Sequence, residues 1–306
     1  MKYRYLAAAA IAACTITVPS HARTLDPDVP EDALEIAKRM QCGAKDGETA
    51  VYHFSGNIYS RRPGEADKLL FKGEGMNVRR CVSVEDPDRG TGWKIISREI
   101  VIHLDPETGE IVNRWENPWT GETVDVMQIH NDPVNSRPSF AINADGSPYT
   151  LGSYREEGPF VFMPVEVPLF YTNPLGGAYQ PYVGGTYHAM EIFNFAALKD
   201  ELLDTRKKVA YPMVAWTRIS QWAPWMEMGD RPGLMVFNFM GRKLPGGFEE
   251  LPDVLKQEIR ANFPIYEDAP PEDDTRRNET TWTKFKLLED QRREKEGDAP
   301  KRSGGH

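Results

Sequence analysis

Five runs of alternating or β-branched residues follow one another between Ala50 and His130: AVYHFSGNIYS, KLLFKGEGMNVRRCVSVE, GWKIISREIVIHL, GEIVNRWE and TVDVMQIH. Only short Pro/Gly/Asp turns separate them. Strands joined so tightly must be antiparallel neighbours, because a parallel crossover takes a dozen residues or more. LDPETGE is a tight-turn sequence, with Asp105-Pro106 initiating and Gly109 able to take positive φ, and NPWTGE repeats that logic one strand later. Trp93 to His130 is therefore expected to form a three-stranded meander.

The second half continues in the same idiom with VFMPVEVPLFY, TYHAMEIFNF, VAYPMVAWTRIS and GLMVFNFMGRK. MEIFNF and LMVFNF are similar, but two hexapeptides do not make a repeat. Helical spacing is confined to Pro30–Gln41, with Glu31 and Asp32 at the favourable N-terminal end, and to Leu251–Asn262. The chain shows no βαβ alternation. The expected fold is mainly β: an antiparallel β-barrel or strongly curved sheet, lipocalin-like or cyclase-barrel-like, with a few short helices, since such a fold disposes of edges. A two-sheet sandwich is the alternative. Residues 23–286 read as one β-rich domain and 287–306 as a polar, disordered tail or frayed helix.

The first 22 residues read as an export signal: Lys2 and Arg4, an apolar stretch from Leu6 to about Val18, then Ser20-His21-Ala22 before a cut. Ile11-Ala12-Ala13-Cys14 also fits a lipobox, which would anchor the chain by a lipid on Cys14. The expected location is periplasmic or secreted, with no transmembrane span after cleavage. Losing Lys2 and Arg4 takes the net charge from −9 to −11, which argues against nucleic acid and anionic membranes as partners. Cys42 and Cys81 remain, and in an oxidising compartment they are expected to pair, two separate thiols being the alternative.

Common catalytic fingerprints are missing: GxSxG, HExxH, GxxxxGK[ST] and GxGxxG do not occur. The histidines are dispersed, so neither a metal nor a cofactor is expected, and His188 and Glu191 point to opposite faces if TYHAMEIFNF is a strand. Trp115, Trp119, Trp216, Trp222 and Trp225, with Tyr187, are candidates to line a cavity for a flat apolar molecule or else to fill the core. In GWKIISREIVIHL, Trp93, Ile95, Ser97, Glu99, Val101 and His103 share one face; Arg98 and its even-numbered neighbours share the other. Either Glu99 or Arg98 must therefore enter apolar surroundings. A buried carboxylate either pairs with an arginine, for which Arg218 is the candidate, or acquires a raised pKa suited to proton transfer. His130 ends a strand beside Asp132, which can orient it as a base or be occupied in an Asx turn.

The words LDPETGEIVNRWENPWTGETVDVMQIHNDPVN, WTRISQWAPWMEMGDRPGLMVFNFMGRKL and NETTWTKF resemble the bacterial and fungal family catalogued as domain of unknown function eighteen-thirty-eight, from about residue 40 to 286. That resemblance implies a single domain, export in many members and no known catalytic residues. The residues themselves predict a cofactor-independent enzyme of isomerase, lyase or hydratase type. Its partner would be a hydrophobic aromatic, terpenoid or steroid-like small molecule. Glu99 and His130 are the expected proton-transfer groups, Arg218 and Asn117 the polar anchors, and Trp119, Trp216 and Trp222 the walls. A non-catalytic binding barrel and a protein interaction module are the alternatives.

Overall fold

The computed structural model describes residues 23–171 and 187–296. The leader with Cys14 and the last ten residues of the tail lie outside the described residues. In chain order the strands are β1 Thr49–Arg61, β2 Lys68–Asp86, β3 Gly90–Leu104, β4 Arg114–Glu116, β5 Thr123–Asp125, β6 Ile129–Asn131, β7 Arg155–Glu157, β8 Phe160–Tyr171, β9 Tyr187–Leu198, β10 Met213–Ser220 and β11 Leu234–Lys243. The α-helices are α1 Pro30–Gln41, the one-turn α2 Lys199–Leu202, α3 Asp253–Asn262 and α4 Thr281–Glu296. The chain is mainly β, as its strand-and-turn pattern predicts. Nine strands form one antiparallel sheet in the order β6-β3-β2-β1-β11-β10-β9-β8-β7. None of the described helices is long and apolar enough to cross a membrane.

The two tight turns are as expected. Asp105 accepts hydrogen bonds from the amides of Glu107 and Thr108, and Gly109 has φ 74°. Asn117 and Gly121 repeat the arrangement, with Gly121 at φ 75°. The meander is corrected. β4 and β5 pair only with each other, and β6 returns to lie beside β3. The reason is aromatic packing: Trp115, Trp119 and Val124 leave the sheet to pack with Trp222, Trp225, Met226 and Met228. Large apolar surface wins over a few ladder hydrogen bonds, each worth about 1 kcal/mol net.

Strand alternation gives the sheet two unlike faces. On one, Val51, Met76, Val78, Ile100 and Ile102 meet Leu255 and Ile259, one turn apart on α3 and both fully buried. Each such side chain contributes about 1.5–3 kcal/mol. The other face carries Phe54, Phe193, Trp216, Phe237 and Phe239 along its middle. One end of this aromatic face is capped by α1, where Trp93 packs on Leu34 and Ala37. There the Cys42–Cys81 disulfide ties the end of the helix to β2. Closing a loop between cysteines 39 positions apart gives about 4 kcal/mol in the chain-entropy picture. The β4–β5 ribbon and its tryptophans cap the other end. Residues 287–296 of the tail are the second half of α4, with Leu287 and Leu288 exposed.

Candidate active site

The site is built from the β3–β6 and β9–β10 pairs. Glu99 lies opposite Asn131, and Asn131 Nδ2 donates to Glu99 Oε1 at 2.6 Å. The start of α4 fixes that amide: the Thr281 backbone N–H can only donate, so it requires Asn131 Oδ1, 2.7 Å away, and turns the NH2 group towards Glu99. Across the same face, Glu191 and Arg218 are register partners and form an ion pair at 2.5 Å. Arg218 also donates to the Tyr187 hydroxyl.

Burial, and then the neighbouring Glu191 charge, push the Glu99 carboxyl above the usual range, outweighing Asn131, Arg218 and Arg79. Like charges sharing a site cannot both ionise freely, so Glu99 holds its proton more readily than an exposed glutamate. On the same face, Trp216 packs against Phe54 and Phe239, each at 5.3 Å, and stacks on Phe193. The Trp216 indole nitrogen is buried without a hydrogen-bond partner among the described residues. Close packing here depends on glycine: a Cβ on Gly73 would sit 2.4 Å from the Phe239 ring, and one on Gly75 2.2 Å from Phe54. Phe54, Phe193, Glu99, Glu191 and Arg218 are only half-buried although they lie on inner strands of a nine-stranded sheet. Water therefore reaches the middle of this face.

Glu99, Trp216 and Arg218 thus share one face. Arg218 pairs with Glu191 rather than with Glu99. His130 lies on the opposite face, because β6 turns Asn131 towards Glu99 and its neighbour away. There His130 sits against Phe263, within hydrogen-bond distance of the Lys284 ammonium. Burial and then the Lys284 charge push its imidazole down to about 4. Asp132 neither orients His130 nor closes an Asx turn; it pairs with Arg98 and Arg276 beside a cis Asp132–Pro133 peptide. Arg98 spends further donors on the carbonyls of Ile265 and Asp268.

Trp119 and Trp222 are together, 5.2 Å apart, but at the capped end with Trp115 and Trp225. Trp119 donates its indole N–H to Glu65. Asn117 is completely buried and donates to the Met226 carbonyl, while its oxygen takes the Trp119 amide. It braces the ribbon to the 224–226 turn and has no group to offer a ligand. His188 and Glu191 fall on opposite faces of β9. Glu191 and Asn131 escaped the sequence argument; period-two alternation along β9, which places Tyr187, Glu191 and Phe193 together, was the signal available. Among the described residues, no three His, Cys, Asp or Glu side chains converge as metal ligands.

The profile of a family described as "Protein of unknown function (DUF1838)" matches residues 47–289. The chain belongs to this family. The matched span contains the whole nine-stranded sheet and the start of α4, so the Glu99, Glu191 and Arg218 cluster lies inside the family's domain. No curated protein matches the chain significantly. Among solved structures, that of MucB in complex with MucA(peri) aligns over 72% of this chain and 96% of its own, at 9% identity and a TM-score of 0.14. The MucA/MucB complex of Pseudomonas aeruginosa aligns over the same shares at 10% identity and a TM-score of 0.14. Likenesses this slight carry no argument about the family's fold or activity.

Proposed function

We propose that the protein is an exported, cofactor-independent enzyme that moves a proton on a hydrophobic small molecule, by isomerisation, elimination or hydration, with Glu99 as the acid or base. One observation carries this reading: a carboxyl raised by burial and by Glu191, held in one orientation by Asn131, shares a water-accessible face with an aromatic wall. A general acid or base works best when its pKa approaches the working pH, and this environment moves Glu99 in that direction. Asn131 positions Glu99, Glu191 maintains its proton affinity, and Arg218 holds Glu191 in place. Phe54, Phe193 and Trp216 form the wall.

The reading includes a strongly curved sheet, of which a closed barrel is the limit. In a flat sheet, three intervening strands would put Arg218 about 20 Å from Glu99. Its charge nevertheless acts on Glu99, as does that of Glu191 one strand further on. Gly56, Gly73, Gly75 and Gly241 remove side chains from the face that would be compressed on curling. Export rests on the leader's basic, apolar and small-residue regions and fits the Cys42–Cys81 disulfide.

Native mass spectrometry of protein purified from the periplasm of its host tests for a retained molecule, which is then offered to the wild type and to Glu99→Gln. Conversion by the wild type, reduced about 10²-fold or more in the variant, is expected. A retained compound that the wild type leaves unchanged would point to a carrier instead.

A further inference from the structure

The aromatic face holds a cation that the proposed proton transfer does not use. Arg79 on β2 lies over the Tyr52 ring at 4.7 Å, its Nε donating to Asn77 Oδ1 at 2.7 Å and its Nη1 to Gln41 Oε1. Both acceptors are neutral amides. Nη2 has no hydrogen-bond partner among the described residues, and no described carboxylate forms an ion pair with this guanidinium. Beside it, Lys243 is almost wholly buried and donates to the carbonyls of Arg39 and Cys42 at the end of α1. Burial, then repulsion from Arg79, push the Lys243 ammonium down to about 7.

The pairing of charges on this face is therefore uneven. It carries Arg79, Arg218 and Lys243, the last a cation below about pH 7, with Glu99 and Glu191. Glu191 is committed to Arg218, and Glu99 takes its hydrogen bond from Asn131 rather than from Arg79. A chain of net charge −9 has thus placed a guanidinium with no direct ion pair, and Glu99 only as a nearby charge, on the face that also carries its aromatic wall. Keeping a half-buried cation without a direct ion pair is costly, and an anion that completes it recovers that cost. The location is specific as well. Tyr52, under Arg79, is two residues from Phe54 on β1, so the guanidinium adjoins the wall formed by Phe54, Trp216 and Phe193.

We propose that Arg79 is the head-group site for the carboxylate of an amphipathic small molecule whose apolar body lies along Phe54, Trp216 and Phe193. The planar fork of the guanidinium matches the two oxygens of a carboxylate, which a point cation would not discriminate. The ligand's chemical class is then a hydrophobic monocarboxylic acid, oriented with its acid end towards α1. This assignment rests on the hydrophobic-ligand reading above and narrows it.

The probes are decanoate and decanol, equal in chain length and different in head group, titrated calorimetrically at pH 8 into the wild type, Arg79→Lys and Arg79→Met. The wild type is expected to bind decanoate about ten-fold or more tightly than decanol, as expected for a charge-assisted hydrogen bond. Arg79→Met removes that preference and leaves decanol affinity within about two-fold; Arg79→Lys keeps part of it. Equal affinity of the wild type for the two probes, or an undiminished decanoate preference in Arg79→Met, overturns the head-group assignment while leaving the apolar wall intact. Failure of the wild type to bind either probe overturns the hydrophobic-ligand reading and the head-group assignment together. Should Arg79→Met not fold, the wild-type comparison and Arg79→Lys still decide.

Discussion

Arg98 and Glu99 are consecutive residues of β3, one buried and one half-buried, and the sheet treats them in opposite ways. Arg98 points to the α3 face and is fully compensated by Asp132 at 2.8 Å and by the carbonyls of Ile265 and Asp268. Glu99 points to the aromatic face, where its direct partner is the neutral amide of Asn131 and a nearby charge, Glu191, has its own sign. The partners are themselves consecutive, Asn131 and Asp132 of β6 and the turn after it. One residue step separates a charge that braces the fold from a carboxyl held above its usual range.

Breaking the compensated side should have the largest effect. Asp132→Ala leaves Arg98 buried without its counter-charge and also releases Arg276. A loss of about 3–5 kcal/mol is expected, and the thermal midpoint should fall by roughly 10 °C. Burial alone would raise the Asp132 carboxyl, but hydrogen bonds from Arg276 and Arg98 hold it below its ordinary 3.8. Its stabilisation is therefore present above that pH and lost as pH falls below it. Denaturant unfolding of the wild type and Asp132→Ala between pH 2.5 and 7 should converge at the acid end. A constant gap throughout would show that the carboxylate charge is not what stabilises this corner.

The poised side should respond with the opposite sign. Glu99 has a raised folded pKa, so its native form binds protons that the unfolded chain has released, and stability falls as pH rises above the ordinary 4.5. Glu99→Gln keeps a partner for Asn131 and removes the buried charge. Its midpoint should exceed the wild type's by about 2–4 °C at pH 8 and match it near pH 4. Activity on the native compound should fall about 10²-fold or more. A variant less stable than the wild type at pH 8 would mean that Glu99 is an ordinary structural carboxylate.

The contrast was half legible in the sequence. Period-two alternation separates residues 98 and 99 onto opposite faces and puts Glu99 with Val101 and His103. It cannot say which face the α3 helix will cover, because that depends on a segment 150 residues further on. The antiparallel strands, both tight turns, α1, α3 and the Cys42–Cys81 pair follow from local chemistry. The pairing of β1 with β11 does not, since nothing in HFSGNIYS encodes VFNFMGRK as a neighbour. The same limit hid the site. Glu191 acts on Glu99 across four intervening strands, and Arg276 reaches Asp132 over 144 positions. The β4–β5 ribbon shows a different failure, because short strands with strong turns were outcompeted by the tryptophans they carry.

His130 gives the smallest expected effect and the sharpest control on which face holds the chemistry. Its side chain is on the Arg98 side of the sheet, beside Lys284 and Phe263, and is pushed down to about 4. His103, fully enclosed on the aromatic side against Phe71 and Trp225, is likewise pushed down to about 4 by burial. Both are neutral in the folded protein between pH 4 and their ordinary 6.5, where the unfolded chain takes up protons. Stability should therefore rise with pH across that window. His130→Gln retains an acceptor for the Lys284 ammonium, so it should remove only the His130 share of the slope and leave the midpoint at pH 8 within about 1 °C. Turnover of the native compound should stay within about two-fold of the wild type, because a residue behind the sheet cannot reach a proton on the aromatic face. Loss of activity comparable to that of Glu99→Gln, with the pH 8 midpoint unchanged, would move the chemistry to the Arg98 side and reverse the assignment of the two faces.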